Sequence, residues 1–257
     1  MIHFTRTAGI RLLATLALLL FSGWAVAQGG APLVTDDPGT PGDGKWEINL
    51  ASTGGRTSRG WDLNAVVADI NYGLGDNIEL KLEVPWTYVH ESGGPWKSGL
   101  GSGSAGMKWR FLDRDENSDG GFAASIYPQY ETAWSDASIR KGVAAENDVF
   151  VLPIQIATAV AGFEFAAEVG RSFVQNEPDE WEAGVAAAHS CGSEKLECVV
   201  EARRTWAPGN AQTLLNFGVR YQINDSLSFL ASAGRDFGPA TEEQQNFVYY
   251  AGFQILR

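Results

Sequence analysis

From Asn77 to Tyr88 the chain reads N-I-E-L-K-L-E-V-P-W-T-Y. Ile78, Leu80, Leu82, Val84, Trp86 and Tyr88 fall on one face, and Glu79, Lys81, Glu83 and Thr87 on the other. A period of two puts successive side chains on opposite sides of a strand, and a helix cannot sort this window. The pattern recurs. Met107, Trp109 and Phe111 alternate with Lys108 and Arg110, and Leu215, Phe217, Val219, Tyr221 and Ile223 with Asn216, Arg220 and Gln222. Phe247, Tyr249, Ala251, Phe253 and Ile255 oppose Asn246, Tyr250 and Gln254. The alternation predicts twelve strands: 45–54, 61–72, 77–88, 101–112, 121–132, 148–159, 163–173, 181–190, 196–206, 212–223, 227–236 and 246–257. Strands of roughly 10–12 residues match a tilted crossing of a bilayer. Soluble sheets favour strands of about five or six.

The connections alternate in character. Gly73-Leu74-Gly75-Asp76, Ala161-Gly162 and Asn224-Asp225-Ser226 are tight turns by composition. The other set is longer on average: 55–60, 89–100, 133–147, 174–180, 207–211 and 237–245. Short turns on one side and longer loops on the other are the habit of outer-membrane barrels, with the short turns in the periplasm. Trp61, Trp86, Tyr88, Trp134, Trp181 and Trp206 gather toward the long-loop ends, and Trp46, Tyr72, Trp109 and Tyr221 toward the short-turn ends. Amphipathic rings favour the two water–lipid interfaces.

The first 27 residues read as a secretory leader. Arg6 and Arg11 precede the apolar run Leu12–Phe21, and Ala25-Val26-Ala27 supplies a small-residue cleavage site. Residues 28–44, rich in Pro, Gly and Asp, read as a flexible periplasmic lead-in to a barrel at 45–257, or else as a plug folded into its lumen. A net charge of −12 argues against nucleic acid as a partner. The expected fold is all-β: a transmembrane, antiparallel up-and-down barrel of about 12 strands.

The stretch Pro32-Leu33-Val34-Thr35-Asp36-Asp37-Pro38-Gly39-Thr40, followed by Gly42-Asp43-Gly44-Lys45-Trp46-Glu47, resembles the start of the outer-membrane barrel family named for the "MetA-pathway of phenol degradation". Tyr72–Asn77, Gly106–Asp113, Asn216–Gln222 and Asn224-Asp225 resemble it further, in the same order. The resemblance implies an outer-membrane channel for small solutes, hydrophobic or aromatic ones among them. Barrels of this kind usually end in an aromatic residue read by the barrel assembly machinery. This chain ends Ile255-Leu256-Arg257, which leaves Phe253 for that role.

A twelve-stranded barrel has a backbone diameter of roughly 24 Å and a bore of about 10–14 Å at most. The face opposite the apolar stripe would line it. That face carries Asp69, Glu79, Glu83, Glu131, Glu164, Glu168, Glu182, Glu197, Glu201 and Asp236 against Lys81, Lys108, Arg110, Arg203 and Arg220. The acidic excess predicts a preference for cations; cross-strand pairing that merely fills the interior is the alternative. On this facing, Leu80→Arg is expected to destabilise the barrel and Glu79→Arg to be tolerated.

Three further patterns carry chemistry. Asp115, Asn117 and Asp119, with Gly120, match the first half of a calcium loop, but Ile126 stands where the bidentate Glu belongs. A solvated acidic turn is the expectation, with no metal and no cofactor. Cys191 and Cys198, the only cysteines, flank one short turn and are expected to form a disulfide in an oxidising compartment. His189-Ser190, and His90 with Glu91 and Ser92, are the only openings for an acyl-hydrolase triad, and no G-x-S-x-G or H-E-x-x-H accompanies them. The sequence therefore predicts a monomeric, passive, non-enzymatic channel among outer-membrane lipids. A lipid-acting hydrolase and a barrel without a pore are the alternatives.

Overall fold

The computed structural model describes residues 30–114, 119–242 and 244–257. The predicted leader, and Asp115 and Asn117 of the acidic turn, lie outside those residues. The described strands are β1 (Trp46–Arg56), β2 (Gly60–Leu74), β3 (Ile78–Glu91), β4 (in two segments, Trp96–Leu100 and Ser102–Arg114), β5 (Phe122–Ile126 and Gln129–Ala133), β6 (Val149–Val160), β7 (Phe163–Val174), β8 (Glu180–Ser193), β9 (Leu196–Ala207), β10 (Asn210–Asn224), β11 (Leu227–Phe237) and β12 (Phe247–Leu256). Each pairs antiparallel with its sequence neighbours. β1 closes on β12, from Glu47↔Leu256 to Arg56↔Phe247. The result is a closed twelve-stranded barrel with no free edge.

The strand order and nearly all bounds follow the alternation. β4 is the exception, starting at Trp96 rather than at 101. Its first segment holds Gly99 and ends before Gly101, so it reads locally as a loop. Cross-strand pairing with β3, from Trp86↔Leu100 to His90↔Trp96, overrides that composition. β5 is interrupted at Tyr127-Pro128, because proline has no N–H for the ladder. Tyr127 turns inward there and is buried. Gly106 on β4 makes the room: a Cβ at that position would press on the Tyr127 ring.

The barrel is inside-out relative to a water-soluble protein. Leu80, Leu82, Trp86, Met107 and Trp109 are exposed, and Phe217 at mid-strand is 66% exposed. Gln155 and Ser125 are 0% exposed, and Asn49, Glu79, Lys108, Glu168 and Glu201 are buried. Apolar out and polar in suits hydrocarbon outside and a polar lumen inside. Trp46 packs against Tyr72 with tilted rings 4.6 Å apart on the short-turn rim, and Trp61 meets Phe247 at 6.4 Å on the opposite one. Phe253 faces outward on the last strand against Phe229, 5.5 Å away.

Both ends of the barrel wall lie on the short-turn side, where Trp46 and Arg257 exchange backbone hydrogen bonds. That side is assigned to the periplasm. On the other side the segment between β5 and β6 contains a short helix, α1 (Asp136–Lys141), which the alternation did not predict. Ser135 caps its start and Gly142, at φ 68°, ends it. Ser138 and Val143 are buried against the inner surface of β4 at Gly99, so this segment folds over the mouth of the barrel.

Candidate functional site: the lumen and its N-terminal segment

Residues 30–44 are not a loose lead-in. They enter the barrel at its short-turn end, reach the middle of the wall and return. At the entry, Arg220 on β10 donates to the carbonyl of Ala31 at 3.0 Å, and Ser232 on β11 donates to that of Pro32 at 2.7 Å. At the turning point the Glu201 carboxylate on β9 accepts from the backbone N–H of Val34 at 3.2 Å and from that of Thr35. Lys108 on β4 then takes Asp36 at 3.0 Å and the Gly39 carbonyl at 3.3 Å. The segment leaves beside the β2–β3 turn, where Thr40 donates to the Asp76 carbonyl at 2.8 Å and Gly75 N–H donates to Asp43 at 2.9 Å.

The wall is shaped to receive it. Leu33 packs on Ala186, Ala188 and Val199. On β8 the inward positions Gly184, Ala186 and Ala188 are all small. A Cβ on Gly184 would overlap the Thr35 side chain. Buried backbone needs hydrogen-bond partners, and Glu201, Arg220, Ser232 and Lys108 supply them from four different strands.

All five basic residues expected in the lumen have polar partners there. Lys81 lies 3.4 Å from Asp69, and Lys108 lies 3.9 Å from Glu79. Arg203 bridges Glu168 and Glu182, at 2.7 Å each. Arg220 holds Glu197 at 2.8 Å. Arg110 donates to the Asp76 carbonyl at 2.8 Å and lies 3.4 Å from Asp113. Glu164 faces the segment near Leu33 and Asp37. The expected lining thus divides in two. Glu79, Lys108, Glu201 and Arg220 grip or back the N-terminal segment, whereas Asp69, Lys81, Glu83 and Glu168 face open space. The burial of Glu79 against Lys108 corrects one expectation. An arginine there would meet the Lys108 ammonium, so Glu79→Arg is not a tolerated change.

That open space is a cavity of about 370 Å³ between the segment and the wall, lined mainly by β12, β1, β2 and β3 and reaching Gln129 on β5, Glu168 on β7 and Asn216 on β10. Tyr127 and Tyr250 face it with Asp69, Lys81 and Glu83. The pairings Asp69↔Glu83, Glu83↔Ser104 and Ser104↔Glu131 set three carboxylates at one level across β2 to β5. Lys81 pairs with Asp69, and no ion pair forms at Glu83 or Glu131 among the described residues. The sequence showed the acidic excess. It could not show which cations the segment would consume.

The remaining candidates separate. Cys191 and Cys198 form the expected disulfide across the β8–β9 hairpin. Asp119 accepts from the backbone N–H of Ala161 at 2.6 Å, tying its turn to the next hairpin. His90 packs against Trp96 at 4.8 Å and His189 against Phe163 at 4.3 Å, both with tilted rings, at opposite ends of the barrel. Neither reaches the lumen.

No protein-family model and no curated protein sequence matches the chain. Solved structures match its fold. The COG4313 outer membrane channel from Pseudomonas putida F1 gives a TM-score of 0.68 at 11% identity, covering 90% of this chain and 100% of that one. The KdgM porin gives 0.56 at 12% identity, covering 81% and 98%. The NanC porin gives 0.56 at 7% identity, covering 80% and 98%.

Proposed function

We propose that this chain is a passive outer-membrane channel for small solutes, taking small cations and neutral molecules, aromatic ones included, in preference to anions. The observation that carries the reading is the cavity of about 370 Å³ inside a closed barrel, lined by Glu83, the Asp69–Lys81 pair and two tyrosines, Tyr127 and Tyr250. Fixed carboxylates without counter-charges raise the local concentration of cations. Tyrosine faces suit both aromatic rings and organic cations. The fold likeness to channels supports conduction. KdgM has been solved with disordered oligogalacturonate, a polyanion. The acidic belt across β2 to β5 suits the opposite charge. The resemblance of the N-terminal stretch to the phenol-degradation barrel family supports the aromatic part of the proposal.

The test is reconstitution into planar bilayers under a salt gradient. Discrete conductance steps and a reversal potential of cation sign are expected, with the sign weakened in Glu83→Gln. An anion-sign potential would overturn the selectivity. Absence of conductance from a heat-modifiable, folded barrel, even after the N-terminal segment is released, would overturn the channel itself.

A further inference from the structure

Four arginines near the loop-side ends of strands face outward: Arg171 on β7, Arg204 on β9, Arg235 on β11 and Arg56 on β1. They occupy every second strand along one half of the barrel. Their facing follows from register, because directly opposed residues share a face. Arg171 opposes Trp181, Arg235 opposes Leu215 and Arg56 opposes Phe247, all exposed apolar residues. Arg204 opposes Thr213 and donates to its hydroxyl at 3.2 Å.

Three of the four lie over aromatic rings: Arg56 over Trp61 at 5.5 Å, Arg235 over Phe237 at 4.9 Å, and Arg171 over both Phe173 and Trp181. Arg204 and Trp206 line a shallow groove of about 560 Å³ that reaches Pro239 on the β11–β12 loop. Asp179 neutralises Arg171 at 2.6 Å. Among the described residues no carboxylate pairs with Arg56, Arg204 or Arg235, although acids outnumber bases in the chain 31 to 19. The loop-side ends of β2 to β6 present Trp86, Tyr88, Trp96 and Tyr130 outward, and no arginine.

A guanidinium at the edge of the hydrocarbon layer requires a counter-charge or water, and its stem lies well along apolar surface. A ring beneath its flat face leaves its edge donors free, and those donors match phosphate oxygens in pairs. Arginines on alternate strands stand about 10 Å apart along the rim. We propose that this arc is a binding site for the phosphates of an anionic lipid in the outward-facing leaflet. Arg204 and Arg235, flanking β10, take the phosphates, and the groove beside Trp206 receives the rest of the headgroup. The site is separate from the lumen and independent of what the channel passes.

Native mass spectrometry of the folded barrel in neutral detergent tests this, with bisphosphorylated lipid A, its dephosphorylated form and inorganic phosphate as probes. The phosphorylated lipid is expected to bind at least tenfold more tightly than the dephosphorylated one. The double variant Arg204→Gln/Arg235→Gln, shown to be folded by heat-modifiability, is expected to lose that difference. Lys141→Gln, on α1, is expected to keep it. Equal binding of the two lipids by the unaltered protein would overturn the proposal, and that comparison needs no variant. Retention of the full preference by the double variant would overturn the assignment to these residues. Inorganic phosphate binding as tightly as the lipid would make this a free-anion site and overturn the lipid assignment.

Discussion

The Lys108 ammonium on β4 lies 3.0 Å from the Asp36 carboxylate on the N-terminal segment, and the lysine side chain is 3% exposed. Removing one partner of a buried pair costs about 3–5 kcal/mol, because the other charge stays behind without compensation. Lys108→Gln is therefore expected to release the segment from its wall while the strands stay paired. Single-channel conductance should rise several-fold over the unaltered protein, with unchanged heat-modifiability on gels. Equal conductance would show that the segment holds its place without this pair.

Gly184 makes an independent case. A Cβ there would overlap the Thr35 side chain, which is wholly buried. Gly184→Val is expected to push the turning point of the segment off the wall and to raise conductance, as Lys108→Gln does, without altering any charge. Cleavage of the segment by a protease added on the periplasmic side should accelerate in the same variant. A variant as resistant as the parent would show that Thr35 yields instead.

The outer face gives a stability prediction. Phe217 lies at the middle of β10 and is 66% exposed. An arginine at the bilayer midplane costs about 2–4 kcal/mol. Phe217→Arg should lower the unfolding free energy in lipid vesicles by that amount. Glu83→Gln, on the lumen side, should leave stability nearly unchanged and alter selectivity instead. Equal losses in the two variants would contradict the facing described above.

The loop-side mouth is expected to respond to acid through Asp148. Its carboxylate accepts from Thr132 at 2.6 Å and Tyr130 at 2.7 Å, and these hydroxyls hold its pKa below the ordinary carboxylate value. A depressed folded-state pKa contributes stability at neutral pH that is lost as the pH falls through it. The anchoring is thus complete above about pH 4 and fades below. Pepsin digestion between 134 and 147, scaled at each pH to the cleavage rate of an unfolded substrate, should be slow at pH 4.5 and speed up below pH 3.5, whereas the scaled rate for Asp148→Ala should be equal at both. A flat profile for the unaltered protein would show that α1 and its packing hold the loop alone.

The wall was legible in the sequence because its physics is local. In β3, each of Ile78 to Tyr88 declares its solvent by its own chemistry, and the register with β2 and β4 follows. What escaped was set by distant partners. The first segment of β4 looks like a loop until β3 supplies its ladder. Ser135 and Gly142 do bracket a short helix, a cap pattern that could have been read, but a six-residue helix carries too little periodicity to stand out. Residues 30–44 have the composition of a linker, and the groups that order them, Glu201, Arg220 and Ser232, lie 166 to 200 positions away. The division of the lumen acids into those facing the segment and those facing the cavity depends on that docking, so it was hidden for the same reason.

The order in which the chain can fold follows from where its first described residues dock. Gly30 to Thr35 have no binding surface until β9, β10 and β11 exist, and these come from the last third of the sequence. Contacts between such distant positions form late. The β1–β12 seam obeys the same schedule, since it joins the first strand to the last. Occupancy of the lumen by residues 30–44 is therefore a record that the wall has been built as far as β11. A chain arrested before β9 would leave that segment in the periplasm with its carbonyls on water.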